Sequence, residues 1–145
     1  MDKTNGGFLI SQIKQIQGRV FDSMLQEAGI EEFNGAQGRI LFVLWQEDHL
    51  PIMELSRRTG LAKTTMTGML DRMESQGFLT REPDSRDRRQ LRIVLTNKAR
   101  NLRNQYDSVS SSMNELFYKG FTDEEIIEFE DHLKRILNNL TMEEE

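Results

Sequence analysis

Residues 51–96 read PIMELSRRTGLAKTTMTGMLDRMESQGFLTREPDSRDRRQLRIVLT. The stretch divides at its own glycines. Ile52 to Thr59 is expected as a short helix closed at Gly60, because glycine tolerates the left-handed backbone that ends many helices. Leu61 is an apolar plug between this helix and a second one, which should run from about Lys63 to Gln76 and stop at Gly77. In the second helix Met66, Met69, Leu70 and Met73 recur at i, i+3, i+4 and i+7, which makes one apolar stripe. Thr64, Gly68, Asp71 and Ser75 then point the other way, with Thr67 and Arg72 on the flanks. The exposed front of this helix is small and polar. Two helices joined by a short glycine-containing turn, the second with such a front, suit insertion into the major groove of duplex DNA.

After Gly77, residues 78–82 and 90–95 pattern as two strands around Pro83-Asp84-Ser85-Arg86-Asp87-Arg88-Arg89. Pro, Asp and Ser favour a loop. Arg86, Arg88 and Arg89 at its tip cannot be core, because a buried unpaired charge costs too much. The predicted fold is therefore mainly α with a small β-hairpin wing, an α+β winged helix-turn-helix. A methionine stripe alone indicates only a core, and a charged turn alone indicates only solvent. The basic hairpin tip following the helix pair is what points to nucleic acid.

From Glu54 to Thr96 the chain resembles the MarR family of transcription regulators. ELSRRTGLAKTTMTGMLDRMESQGFLTR is similar to that family's helix-turn-helix, and DSRDRRQLRIVLT to its wing, where an Asp and an Arg two residues later recur as Asp87 and Arg89. The resemblance implies that Lys63, Thr64, Thr65, Thr67, Gly68 and Arg72 sit on or beside the reading helix. It also implies that Arg86, Arg88 and Arg89 contact DNA from the wing and that Asp87 orients Arg89. Position 68 departs from the pattern, since relatives often carry a larger, frequently basic residue where this chain has Gly68.

The 145 residues suffice for one domain, 1–145, able to bury ~68–70% of its unfolded surface without disulfides or a structural metal. Cysteine is absent, so thiol ligands, thiol nucleophiles and the cysteine redox sensing of some MarR relatives are excluded. The net charge of −5 is unevenly spread. Residues 54–92 hold nine Arg/Lys and six Asp/Glu, a local +3, whereas residues 121–145 hold two and nine, a local −7. Exposed charges separated by more than about 10 Å are largely screened from one another. An acidic tail can thus coexist with a basic reading surface. No signal-like or membrane-length apolar run is visible, so a cytoplasmic protein is expected.

Outside the central stretch the periodicity is helical. Met1–Gly7 reads as a frayed lead. Phe8 to Glu27 carries apolar residues at three- and four-residue intervals, an amphipathic helix ended by Gly29. Asn34 and Gln37 have capping-box spacing for a nearly all-apolar central helix to about Gln46, followed by a loop, Glu47 to Pro51. Thr96 suits the N-cap of a long helix to about Lys119, with a bend expected near Ser108–Ser112 and an end at Gly120. Thr122-Asp123-Glu124-Glu125 fits a second capping box, with Phe121 and Ile126 as a hydrophobic staple. The last helix places Ile126, Phe129, Leu133, Ile136, Leu137 and Leu140 on a seam suited to helix–helix packing. Met142–Glu145 reads as a frayed acidic end.

These patterns divide the domain into a DNA-binding lobe, 34–96, and a helical dimerisation lobe, 8–27 plus 97–141. The expected function is sequence-specific binding of double-stranded DNA at a pseudo-palindromic site by a homodimeric repressor. The resemblance further implies a small aromatic or anionic ligand where the dimer helices meet the reading lobe, with Phe21, Arg39, Phe42 and Trp45 on helices that could line its site. No cofactor or metal is expected, because His49 and His132 lack metal-ligand spacing. No catalytic constellation can be assembled, so an enzyme is not expected. The rival reading is a winged-helix module that binds protein; Gly68 and a pI near 5.2 favour it, and the basic wing tip opposes it.

Overall fold

The computed structural model describes residues 3–143. The helices are α1 (Gly6–Glu27), α2 (Gly35–Gln46), α3 (Ile52–Thr59), α4 (Lys63–Ser75), α5 (Asn97–Asn101), α6 (Arg103–Phe117) and α7 (Asp123–Glu143). The strands are β1 (Leu50–Pro51), β2 (Leu79–Pro83) and β3 (Leu91–Leu95), paired antiparallel in the order β1-β3-β2. The two ends expected to fray fall partly on residues 1–2 and 144–145, outside the described residues. Gly6 and Gly7 already belong to α1, and Met142 belongs to α7.

The chain divides into two compact units, one up to Ser110 and one from Ser111. In the first, α2 starts in a reciprocal capping box. Asn34 Oδ1 accepts the Gln37 N–H at 2.9 Å, and Gln37 Oε1 accepts the Asn34 N–H at 3.2 Å. The helix then buries Ile40, Leu41, Val43, Leu44 and Trp45. Met66, Met69, Leu70 and Met73 of α4 join them, together with Leu55, Phe78, Leu79, Ile93 and Leu95. The stripe read from the sequence is thus the buried face of α4, and Thr64, Gly68, Asp71 and Ser75 are exposed. Gly60 (φ +75°) and Gly77 (φ +84°) close α3 and α4 in the left-handed conformation.

Two expectations are corrected. The segment from Glu47 to Pro51 is not all loop, because Leu50 and Pro51 pair with Ile93 and Arg92 and turn the hairpin into a three-stranded sheet. Two residues are too short to show alternation, and Pro51 lies on an edge strand, where a missing N–H is tolerated. The helix after Thr96 is interrupted at Leu102 and not at the serines, which lie inside α6. The cause is Trp45. Its indole N–H donates to the Ala99 carbonyl at 3.1 Å, and that carbonyl also accepts the Leu102 N–H at 3.2 Å, three residues on. Competition for one acceptor tightens the turn there.

In the second unit Thr122 and Glu125 form the expected capping box, at 3.1 and 2.9 Å. Phe117, Tyr118, Phe121 and Phe129 cluster edge-on and tilted, with centroids 4.8–6.5 Å apart. Tyr118 Oη donates to Glu130 at 2.6 Å. Burial first, and then that carboxylate, push the phenol up to about 12.

Gly38 of α2 lies against Tyr106, whose ring meets Trp45 at a centroid distance of 5.0 Å. A Cβ at this position would stand 2.8 Å from Tyr106 Cε2 and 3.2 Å from Phe33 Cε2. Gly38→Ala should therefore lower stability by about 1–3 kcal/mol, the usual cost of overpacking, despite alanine's better helix propensity. Urea unfolding checks this, and a raised midpoint would contradict it.

Candidate nucleic-acid interface

Helix α4 is capped by Ala62, whose side chain offers no hydrogen bond, so the first N–H groups of the helix are left without a side-chain acceptor beside exposed Lys63, Thr64 and Thr65. Such a terminus favours an anion. The wing is tied to the same helix. Arg81 of β2, only 20% exposed, reaches back to α4, with one guanidinium nitrogen 2.7 Å from Asp71 and another 3.2 Å from Glu74. It also donates to the Thr67 carbonyl at 3.5 Å, while the Arg81 N–H donates to Glu74 at 3.1 Å. These hydrogen bonds fasten the first wing strand to the front helix.

The wing loop is folded around Asp84, which is 5% exposed. Its Oδ1 accepts the N–H groups of Arg86 (2.7 Å) and Asp87 (3.4 Å), and its Oδ2 accepts the Arg92 guanidinium. Arg92 donates in turn to the His49 carbonyl at 2.7 Å. Asp48 completes the base, accepting the His49 N–H (2.8 Å) and the Leu95 N–H (3.0 Å) and pairing with Arg100 (3.2 Å). His49 is held at φ +62° between these bonds. At the tip Asp87 Oδ1 accepts both the N–H and the Nε of Arg89 at 3.1 Å, and the Arg89 side chain remains 92% exposed. Arg86 and Arg88 are exposed and form no ion pair among the described residues.

Residues 33–91, the span that builds this surface, match the family model described as "MarR family". The HTH-type transcriptional regulator TtmR of Methylorubrum extorquens is 37% identical over 90 residues, which is 62% of this chain and 45% of that protein. A mutant MarR from E. coli, crystallised with operator DNA, superposes with a TM-score of 0.81 at 25% identity, covering 94% of this chain and 99% of the other. A MarR transcriptional regulator from Methanosarcina mazei Go1 shares the fold at TM-score 0.82 and 23% identity, covering 97% and 99%. Over residues 33–91 the chain carries the pattern of the MarR family. It spans about half the length of the curated relatives it matches. Those relatives carry the names of transcriptional regulators and not of enzymes.

Against this MarR-family frame the structure sorts the residues singled out in the sequence. Lys63, Thr64, Thr65, Thr67 and Gly68 lie together on the exposed side of α4, next to the strand that carries the wing. Arg72 turns toward a different rim, a 550 Å³ cleft shared with Asp22, Glu31, Glu32 and Gln76. Arg81, Asp84, Arg92 and Asp48 were missed in the sequence. The Pro-Asp-Ser signal marks Asp84 as a turn residue. Nothing local marks Arg81 or Arg92, whose partners are up to 43 residues away.

A 480 Å³ cavity in the same unit is lined by Lys14, Phe21, Arg39, Phe42, Leu61 and Tyr106, among others. Trp45 is not part of it, because the indole bond to Ala99 turns the ring into the core instead. Arg39 also donates to the Thr59 carbonyl at 3.4 Å, at the turn between α3 and α4.

The N–H groups of Arg86 and Asp87 and the Arg92 guanidinium hold the Asp84 carboxyl below the usual carboxylate range. A group whose folded pKa is depressed contributes stability above its unfolded value, near 4, and loses it as pH falls through the folded one. Asp84→Asn should thus be less stable than the parent at pH 7, and the gap should narrow as pH falls below about 4. Urea midpoints across that range check this, and a gap constant with pH would contradict it.

Proposed function

We propose that the protein is a homodimeric transcription regulator, acting as a repressor in the cytoplasm, that binds a pseudo-palindromic duplex site. The observation that carries this reading is the exposed arginine tip of a wing clamped to the front of α4. Of the nine basic residues in 54–92, Arg57, Arg58, Arg81 and Arg92 are engaged with Glu54, Glu47, Asp71, Glu74 and Asp84. Arg57 and Arg58 hold Glu54 so firmly ionised that its pKa falls to about 2. Lys63, Arg72, Arg86 and Arg88 remain available to phosphates, and Arg89, though paired with Asp87, keeps 92% of its side chain exposed. Solvated arginines that outnumber the acids beside them suit a polyanion, and the operator complex of the MarR relative supports that choice of partner.

The dimer is supported by apolar side chains left exposed among the described residues. Phe8 (70% exposed), Leu9, Ile13 and Ile16 lie open on α1, and Ile136, Leu137 and Leu140 on α7. A second copy would cover both faces and set two α4 helices roughly 34 Å apart, one turn of DNA. A ligand site is supported by the 480 Å³ cavity, where aromatic rings face Lys14 and Arg39, a setting for an aromatic anion. Arg39 touches both the cavity and the turn leading into α4, so occupation of the cavity would bear on the reading helix. A coupling of 1–3 kcal/mol would change DNA affinity about 5- to 150-fold.

Three wing arginines per head would neutralise about six phosphates per dimer, which predicts a log–log salt slope near −5. Arg89→Ala should weaken binding to all duplexes and flatten the slope by about 2, because each head then neutralises one phosphate fewer. Thr67 substitutions should instead change which sequence is preferred. Fluorescence anisotropy with labelled duplexes at varied salt checks these outcomes. Binding to no duplex would favour the protein-binding reading.

A further inference from the structure

Gly68 occupies the middle of α4, where glycine is a poor choice. It forgoes helix propensity relative to alanine and enlarges the entropy lost on folding. A glycine inside a helix is usually explained by a close neighbour or an unusual backbone. Neither applies at Gly68. Its φ is not positive, and a Cβ built on it meets no atom within 4 Å. Gly38 shows the contrast in the same unit, since a Cβ there would collide with Tyr106, whereas Gly18 in α1 is as open as Gly68 but does not lie on the reading helix. Nothing among the described residues needs position 68 to lack a side chain.

The surroundings show what the gap faces. On a helix surface the neighbours of residue 68 are three and four positions away, namely Thr64, Thr65, Asp71 and Arg72. All four are exposed. Asp71 is drawn to Arg81 of the wing strand at 2.7 Å, so the one acid beside the gap is neutralised and held aside. Arg72 lines the cleft on the other rim. The threonine side chains on the N-terminal side each carry a methyl group. The floor is bare backbone Cα, with neither donor nor acceptor, and the space above it is open.

We infer that Gly68 is a specificity-determining gap that seats the 5-methyl of a thymine in the major groove and lets the α4 backbone approach it closely. This rests on the DNA-binding reading above and adds to it what the reading face selects. Apolar contact with the thymine methyl is a direct means of telling thymine from cytosine in that groove. A Cβ at position 68 would fill the seat and push the helix outward.

The test compares the parent chain with Gly68→Ala. Both are used to select duplexes from one randomised pool, and thermal unfolding is recorded alongside. Gly68→Ala should unfold about 2–4 °C higher. It should bind the duplex selected by the parent at least tenfold more weakly, and should lose preference at one thymine per half-site while keeping the remaining preferences. Replacing that thymine by deoxyuracil, which lacks only the methyl, should weaken the parent several-fold and leave Gly68→Ala unaffected or slightly tighter. Equal affinities and the same selected sequence for both proteins would overturn the inference while leaving DNA binding intact. Failure of the parent to enrich any duplex would overturn the DNA-binding reading and the inference with it. A lower unfolding temperature for Gly68→Ala would show that the fold does need this glycine, and would also overturn it.

Discussion

Arg81 is where the two halves of the reading surface meet. It stands on the first wing strand and grips Asp71, Glu74 and the Thr67 carbonyl of α4. Without such a link a hairpin and a neighbouring helix could each be well folded and still present their charges in varying relation. Partly exposed ion pairs contribute little to stability, of order 0–1 kcal/mol each. Burying Met66, Met69, Leu70 and Met73 contributes ~1.5–3 kcal/mol per side chain. The core therefore keeps α4 folded, and Arg81 sets its relation to the wing.

The wing repeats that division of labour. Ile93 and Leu95 anchor β3 in the core, and Asp84 then shapes the loop beyond it by satisfying two backbone N–H groups and the Arg92 guanidinium. A carboxylate so enclosed must be matched by donors, and the loop supplies them. Asp84 and Arg92 are consumed in this way, and Arg86, Arg88 and Arg89 are left facing solvent with little to neutralise them. Acids paired inside the wing and bases left outside produce a local positive field on a chain of net charge −5.

What could be read from the sequence follows the range of each signal. The apolar stripe of α4, the glycine stops at Gly60 and Gly77 and both capping boxes depend on residues within one or two turns of each other, and each is found where expected. The basic tip was equally plain, because three arginines in a loop have few alternatives to solvent. Strand β1 was hidden by its length of two residues, and the break at Leu102 by its cause, an indole 54 residues away. Arg81 and Arg92 belong to the same class, since their partners are fixed by the sheet and not by spacing. Gly68 was visible as an oddity. Only the open space around its Cα shows that no described neighbour accounts for the oddity.

The wing and α4 must act as one rigid reader, and Arg81→Leu probes that most directly, because Arg81 is spent on internal hydrogen bonds. Affinity of the variant for the duplex selected by the parent is the quantity to measure, with circular dichroism to show that the fold is kept. A rigid reader predicts at least a tenfold loss of affinity with helicity unchanged. Parental affinity in a folded Arg81→Leu protein would contradict it.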